Sequence, residues 1–175
     1  IPANLQKLDF INFSISIPFS IKNWYQSSIN GGLNWSQYQS AFQGGVLRQS
    51  SVAWDIQHQN SIVINSKGWT AEISEYFQSR MVWGLFTIRS LAQVNIGIQK
   101  TSANKKSTIK LSATDIFFTN HIAVLVKYQN MDFYTNRTWD SRTLTLSYSY
   151  RFGKMNPTKS NSRNSGIEDI KKRAV

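Results

Sequence analysis

His58 and His121 are the only histidines in the chain, and imidazole is the one side chain whose ordinary titration suits proton transfer near neutral pH. They are far apart in sequence, and no Ser–Asp pair or carboxylate cluster lies beside either. Neither is therefore expected to act as a catalytic base or a metal ligand. Glu72 and Glu75 have opposite strand parity, so they cannot face each other as glycosidase carboxylates do. Glu72 reads instead as part of a polar, hydrogen-bonded lining. Gln43-Gly44-Gly45 precedes no Lys-Ser/Thr and no helix, so it is no phosphate cradle. With no cysteine there is no disulfide, thiol nucleophile or Cys-based metal site. Asn136-Arg-Thr138 matches a glycosylation sequon and carries no further signal. The expectation is a protein that is not an enzyme and holds no cofactor or metal.

What remains is recognition chemistry, and it concentrates in the run Arg142-Thr-Leu-Thr-Leu-Ser-Tyr-Ser-Tyr-Arg-Phe152. Leu144, Leu146, Tyr148, Tyr150 and Phe152 fall on one face of a strand, and Thr143, Thr145, Ser147, Ser149 and Arg151 on the other. The run is about the 10 residues that a tilted strand needs to cross a bilayer. An amphipathic strand ending in an aromatic residue is how outer-membrane barrels finish. A half-buried strand of a soluble sandwich alternates in the same way. Tyr148, Tyr150 and Phe152 are the candidate signal for barrel assembly machinery, which would add this strand to its own sheet edge. The same residues would in any case anchor the strand in lipid.

The elements that must position this strand repeat its pattern. Ile11, Phe13, Ile15, Ile17, Phe19 and Ile21 alternate with Asn12, Ser14, Ser16 and Ser20. Val52, Trp54, Ile56, Ile62 and Ile64 share one parity, against Ala53, Asp55, Gln57, Gln59, Ser61 and Asn65. Val94, Ile96, Ile98 and Ile109, Leu111, Ala113 continue it. The polar partners are mostly neutral, which suits a water-filled lumen better than a soluble surface. No window approaches 18 apolar residues, so no transmembrane helix is expected. Trp24, Trp69 and Phe19 read as interfacial anchors, as do Tyr25, Tyr76, Trp83 and Trp139. Asn30-Gly31-Gly32 falls inside a long strand, where a glycine bend or bulge is expected rather than a hairpin turn.

Composition sets the outer limits. The 175 residues carry a net charge of +11. Residues 153–175 hold six cations against two anions, and the remainder holds 14 against seven. The cations are scattered, several near presumptive turns, rather than massed on one groove-facing element. Nucleic acid is therefore not an expected partner. Position 1 is Ile, with no basic and apolar leader after it, and the expectation is that a signal sequence was cleaved or that further chain precedes it.

Short turn signals at 20–23, 65–68 and 101–106 contrast with longer connections at 37–51 and 80–90. Short turns are periplasmic and long loops extracellular in outer-membrane barrels. The spacing predicts spanning strands near 10–20, 23–36, 52–64, 69–79, 91–100, 107–117 and 142–152. Residues 118–141 then leave and return on the extracellular side, with 122–128 as a strand extension or hairpin. Bacterial single-chain barrels have even strand numbers. Seven spanning strands thus read as an antiparallel segment of a larger all-β transmembrane barrel. Residues 1–153 form the barrel part and 154–175 a polar, basic periplasmic tail, in which 167–175 could form a helical turn.

Phe19-Ser-Ile-Lys-Asn-Trp24, Lys67-Gly-Trp-Thr-Ala-Glu-Ile-Ser74, Ile96-Gly-Ile-Gln-Lys100, Leu111-Ser-Ala-Thr-Asp-Ile-Phe117 and the run from Trp139 to Lys154 occur in order. Together, over about residues 11–154, they resemble the C-terminal barrel region of the outer membrane protein β-barrel family related to TonB-dependent receptors. The resemblance implies a Gram-negative outer-membrane receptor or transporter that binds or passes a nutrient without covalent chemistry. It implies as partners outer-membrane lipid, the remaining strands and plug of a roughly 22-stranded parent barrel, the assembly machinery, and TonB-linked or lipoprotein partners. Neither a plug nor a TonB-box region is present in the sequence. Two alternatives stay open: a self-contained small outer-membrane barrel acting as enzyme or adhesin, and a basic soluble β protein binding nucleic acid or polysaccharide.

Overall fold

Period-two alternation stabilises a strand only when its neighbours alternate in register with it. The computed structural model, which describes residues 7–42, 45–128 and 130–153, shows that registration across seven strands. They are β1 (Lys7–Ile21), β2 (Tyr25–Phe42), β3 (Gly45–Asn65), β4 (Trp69–Gln78), β7 (Leu91–Thr101), β8 (Ser107–Thr114) and β11 (Thr143–Tyr150). All pair antiparallel in chain order, β1-β2-β3-β4-β7-β8-β11. The seven strands expected from the alternation are these seven. The sheet is not closed: β1 and β11 each have one strand neighbour among the described residues.

The apolar rows are continuous across the sheet. Ile62, Ala71, Ile98, Leu111 and Leu146 stand opposite one another on successive strands. Ile56 and Ile96, although on central strands, remain more than 40% exposed. Among the described residues nothing of this chain covers that face, which is what a lipid-facing surface requires. The buried apolar side chains lie elsewhere, at Leu47, Ala123 and Val126, of which Val126 is fully buried.

The three short turns lie at one end with Phe152, and Arg151 N–H donates to Lys106 O there (2.8 Å). At Gly68 φ is +87°, and an added Cβ would lie 2.2 Å from Thr101 O, so the 66–68 turn needs glycine.

The other end departs from expectation. The 37–51 segment is not a loop, because β2 and β3 pair without interruption from Tyr25↔Ile62 to Phe42↔Gly45. Beyond Asp55↔Gln78, β3 has outrun β4 and rises with β2 and β1 as a tall arm, three-stranded up to Lys7↔Gln39. Residues 80–90 form a hairpin, β5 (Met81–Trp83) and β6 (Phe86–Ile88), and the 118–141 excursion contains β9 (Ile122–Tyr128) and β10 (Met131–Arg137). These four short strands join in a second sheet, β10-β9-β6-β5. Val82 N–H ties it to the tall arm through Ser51 Oγ (3.1 Å). Strand β8 stops at Thr114 rather than 117, because Asp115 turns into the left-handed region at φ 45°. Gly31 and Gly32 pair in register on both sides, without a bulge; the irregularity lies at Val63/Asn65. Gly32 makes room instead, since a Cβ there would meet Asp55 Oδ1 at 2.6 Å. The basic tail and the tip at Gln43 lie outside the described residues.

Candidate functional site

Two polar assemblies occupy opposite faces of the same strands. On the concave polar face, β4 presents Glu72, whose carboxylate pairs with Lys110 of β8 across the intervening Gly97. Around this pair Ser28, Gln59, Ser61, Ser74 and Ser112 line a cleft of about 820 Å³. A second cleft of about 510 Å³ contains Asn12, Asn30, Asp55 and Gln57. Hydroxyls and amides with one internally balanced ion pair can hydrogen-bond a polar solute without trapping it by net charge. Glu72 therefore sits in the hydrogen-bonded lining expected of it.

The opposite face contains a cluster that sequence reasoning missed. Ser27 of β2, His58 and Asn60 of β3, and Glu75 of β4 share the parity of Trp54, Ile56, Ile62 and Ile73. The register brings them together: Ser27 Oγ lies 3.0 Å from His58 Nε2, and His58 Nδ1 lies 2.7 Å from Glu75 Oε2. Tyr25 donates its hydroxyl hydrogen to Asn60 Oδ1 at 2.6 Å. The serine and the carboxylate that reach His58 are thus 31 and 17 residues away along the chain and adjacent to it in space. A signal was available, because His58, Asn60 and Glu75 are polar residues on strand positions whose neighbours two residues away are mostly apolar. The opposite parity of Glu72 and Glu75 does put them on opposite faces.

A third assembly anchors the second sheet. Asp115 is fully buried and accepts hydrogens from Thr119 N–H (2.9 Å), Asn120 N–H (3.1 Å) and the hydroxyls of Thr119 and Ser141. Its own N–H donates to Asn95 Oδ1 at 2.9 Å. Burial alone would raise this carboxyl's pKa, but the hydrogen bonds from Ser141, Thr119 and Asn120 outweigh it and hold the group below its usual value. One carboxylate thereby joins the end of β8 to both ends of the 118–141 excursion.

The residues singled out from the sequence gather at the short-turn end. Phe19 and Trp24 make tilted ring contacts with Tyr25 at 5.9 Å and 5.6 Å, and Lys100 lies over the Trp69 ring at 5.2 Å. Tyr148 and Tyr150 extend outward from β11, and Phe152, 90% exposed, meets Tyr150 edge-on at 4.8 Å. Tyr76 does not join them; it points into the polar face and bonds Gln78. Trp83 lies in the second sheet and Trp139 just before β11.

The outer membrane protein beta-barrel family model matches residues 1–150, nearly all of the chain that these assemblies occupy. The chain belongs to that family. No curated protein matches it, and no solved structure does. For a member of an outer-membrane barrel family, the uncovered apolar face and the concave polar face are the two sides of a barrel wall. Among the described residues there is no cluster of three or more His, Asp or Glu that could hold a metal ion.

Proposed function

We propose that this barrel wall is the C-terminal portion of an outer-membrane receptor or transporter of the TonB-dependent type, in a Gram-negative bacterium. Its polar face binds or passes a nutrient, a task that needs no covalent change in the cargo. The observation that supports this reading most is the hydroxyl- and amide-lined cleft around Glu72 and Lys110, on the concave face of a sheet whose two edges are open. The open edges of β1 and β11 suit pairing with further strands of a parent barrel, closed around a plug. Tyr148, Tyr150 and Phe152 suit capture by the assembly machinery, and the outward apolar rows suit outer-membrane lipid. TonB-linked and lipoprotein partners belong to the same reading, and nucleic acid does not.

Uptake by cells expressing the full-length protein tests it. Ser61→Trp, which narrows the cleft, is expected to lower uptake while surface levels stay constant, and collapse of the proton-motive force is expected to stop it. Unchanged uptake in Ser61→Trp would remove the cleft from the path. Uptake that survives collapse would mean a passive barrel.

A further inference from the structure

We propose that Ser27, His58 and Glu75 form a nucleophilic relay on the lipid-facing side of the wall, hydrolysing acyl esters of membrane glycerophospholipids. The order of hydrogen bonds carries the proposal. A carboxylate oxygen accepts, so the 2.7 Å contact with Glu75 Oε2 fits the tautomer that carries its hydrogen on Nδ1. Nε2 is then left as an acceptor, 3.0 Å from the Ser27 hydroxyl. Nucleophile, base and a carboxylate that orients the base are thus connected through the correct nitrogens. Asn60 Nδ2 also approaches Nδ1, at 3.3 Å, but the carboxylate is nearer and is the acceptor. Asn60 stands directly opposite Ser27 in register. Because Asn60 Oδ1 accepts from Tyr25, its amide nitrogen is the end turned toward His58, on the residue paired with the nucleophile, and its N–H groups suit a developing oxyanion.

Location argues that the cluster is more than structural. Polar side chains in an apolar band are costly, and a purely structural contact there would be served as well by apolar residues. Ser27 is also toward the short-turn rim of the wall. It faces Phe19 across the β1–β2 pair and lies three residues from Trp24, about 10 Å along the strand. Trp at a barrel rim marks the headgroup boundary. Ser27 itself is buried, 6% exposed, and its partners His58 and Glu75 are 29% and 44% exposed, so an ester bond reaches the hydroxyl from the His58 side, where the apolar surroundings suit acyl chains.

The chemistry balances without a further reactant. Ser27 Oγ bonds to the ester carbonyl carbon as its proton passes to His58 Nε2. The bond from that carbon to the glycerol oxygen then breaks, and His58 protonates the departing alcohol. Water attacks the acyl-serine, giving one proton to His58. The acyl–Oγ bond breaks, and His58 returns that proton to Ser27, leaving a fatty acid and a lysophospholipid. Ser27 and His58 are the catalytic residues, and Glu75 is a positioning residue.

The test uses the full-length protein reconstituted in phosphatidylethanolamine vesicles, with barrel folding verified by heat-modifiable gel migration. A fluorophosphonate probe should label folded wild type on Ser27, and fatty acid should be released. Ser27→Ala and His58→Gln should remain folded and lose release at least about a hundredfold. Glu75→Gln should lower kcat with little change in KM, and Glu75→Asp should recover part of it. Absence of both labelling and release in folded wild type would overturn the relay and leave the cluster a polar contact for another membrane protein. Release persisting in Ser27→Ala would also overturn it.

Discussion

Glu72 and Glu75 lie three residues apart on β4, and each has a basic partner contributed by another strand. Their surroundings are opposite. Glu72 and Lys110 sit among serines and amides in a concave cleft, where water and neighbouring hydroxyls screen the pair. Glu75 and His58 sit among Trp54, Ile56, Ile62, Ile73 and Phe77 on the face that borders lipid. An ion pair in a polar lining is inexpensive and weakly stabilising, whereas ionisable groups in an apolar band cost stability and tend to be functional. The side of the wall, more than residue type, decides what a carboxylate does here.

The largest expected effect tests the two faces directly. Ile98→Arg should destabilise the barrel by about 2–4 kcal/mol near the bilayer midplane, and Ser112→Arg, opposite Gly97 and close to Glu72, by much less. Folding titrations in bilayers of matched thickness would measure both. Equal costs would erase the distinction between inner and outer faces.

Asp115 lies outside both clusters and should behave differently from either. Asp115→Ala leaves buried donors unsatisfied and should cost about 1–3 kcal/mol, read as faster proteolysis between residues 116 and 142. The folded protein holds this carboxyl below its usual pKa, so the unfolded chain binds the proton more readily. Its contribution is complete above the unfolded value of about 4 and is lost as pH falls through the lower folded value. Hydrogen exchange in 116–142 should therefore accelerate on acidification below about pH 4, and Asp115→Ala should abolish that dependence.

A smaller effect sharpens the comparison with a reversed sign. Replacing the outer relay as a unit, with Ser27→Ala, His58→Leu and Glu75→Leu, should leave stability unchanged or raise it by about 1–2 kcal/mol. A strong loss would show that the cluster is structural. The smallest expected change is Glu72→Gln, under about 1 kcal/mol for a partly exposed pair, measured in the same folding titration.

The seven sheet strands and the three short turns were legible because each depends on local order. Alternation at period two needs only residues i and i+2, and a turn needs only a few residues of suitable type. The polar lining around Glu72 was legible for the same reason. Elsewhere the missing information was non-local. Ser27, His58 and Glu75 are separated by 31 and 17 residues, and nothing along the chain reveals which residues strand pairing will set opposite each other. Polar intrusions at His58, Asn60 and Glu75 mark an irregularity of the apolar face without indicating that they meet.

Residues 80–90 and 118–141 show the same division from the side of the fold. Short runs such as Phe86-Thr-Ile88 cannot stand as isolated hairpins, since two short strands bury too little to offset their ordering. They become strands because β6 finds β9, pairing Phe86 with Val126, and because Asp115 and Ser51 fix where the excursions begin. The amino-acid order by itself determined which face of each strand is apolar, where the chain turns tightly, and that the architecture is antiparallel β. Tertiary structure alone decided which strands extend into a tall arm, which loops join into a second sheet, and which three side chains form a relay. Alternation is a property of one strand, whereas register is a property of two, and only the folded sheet contains both.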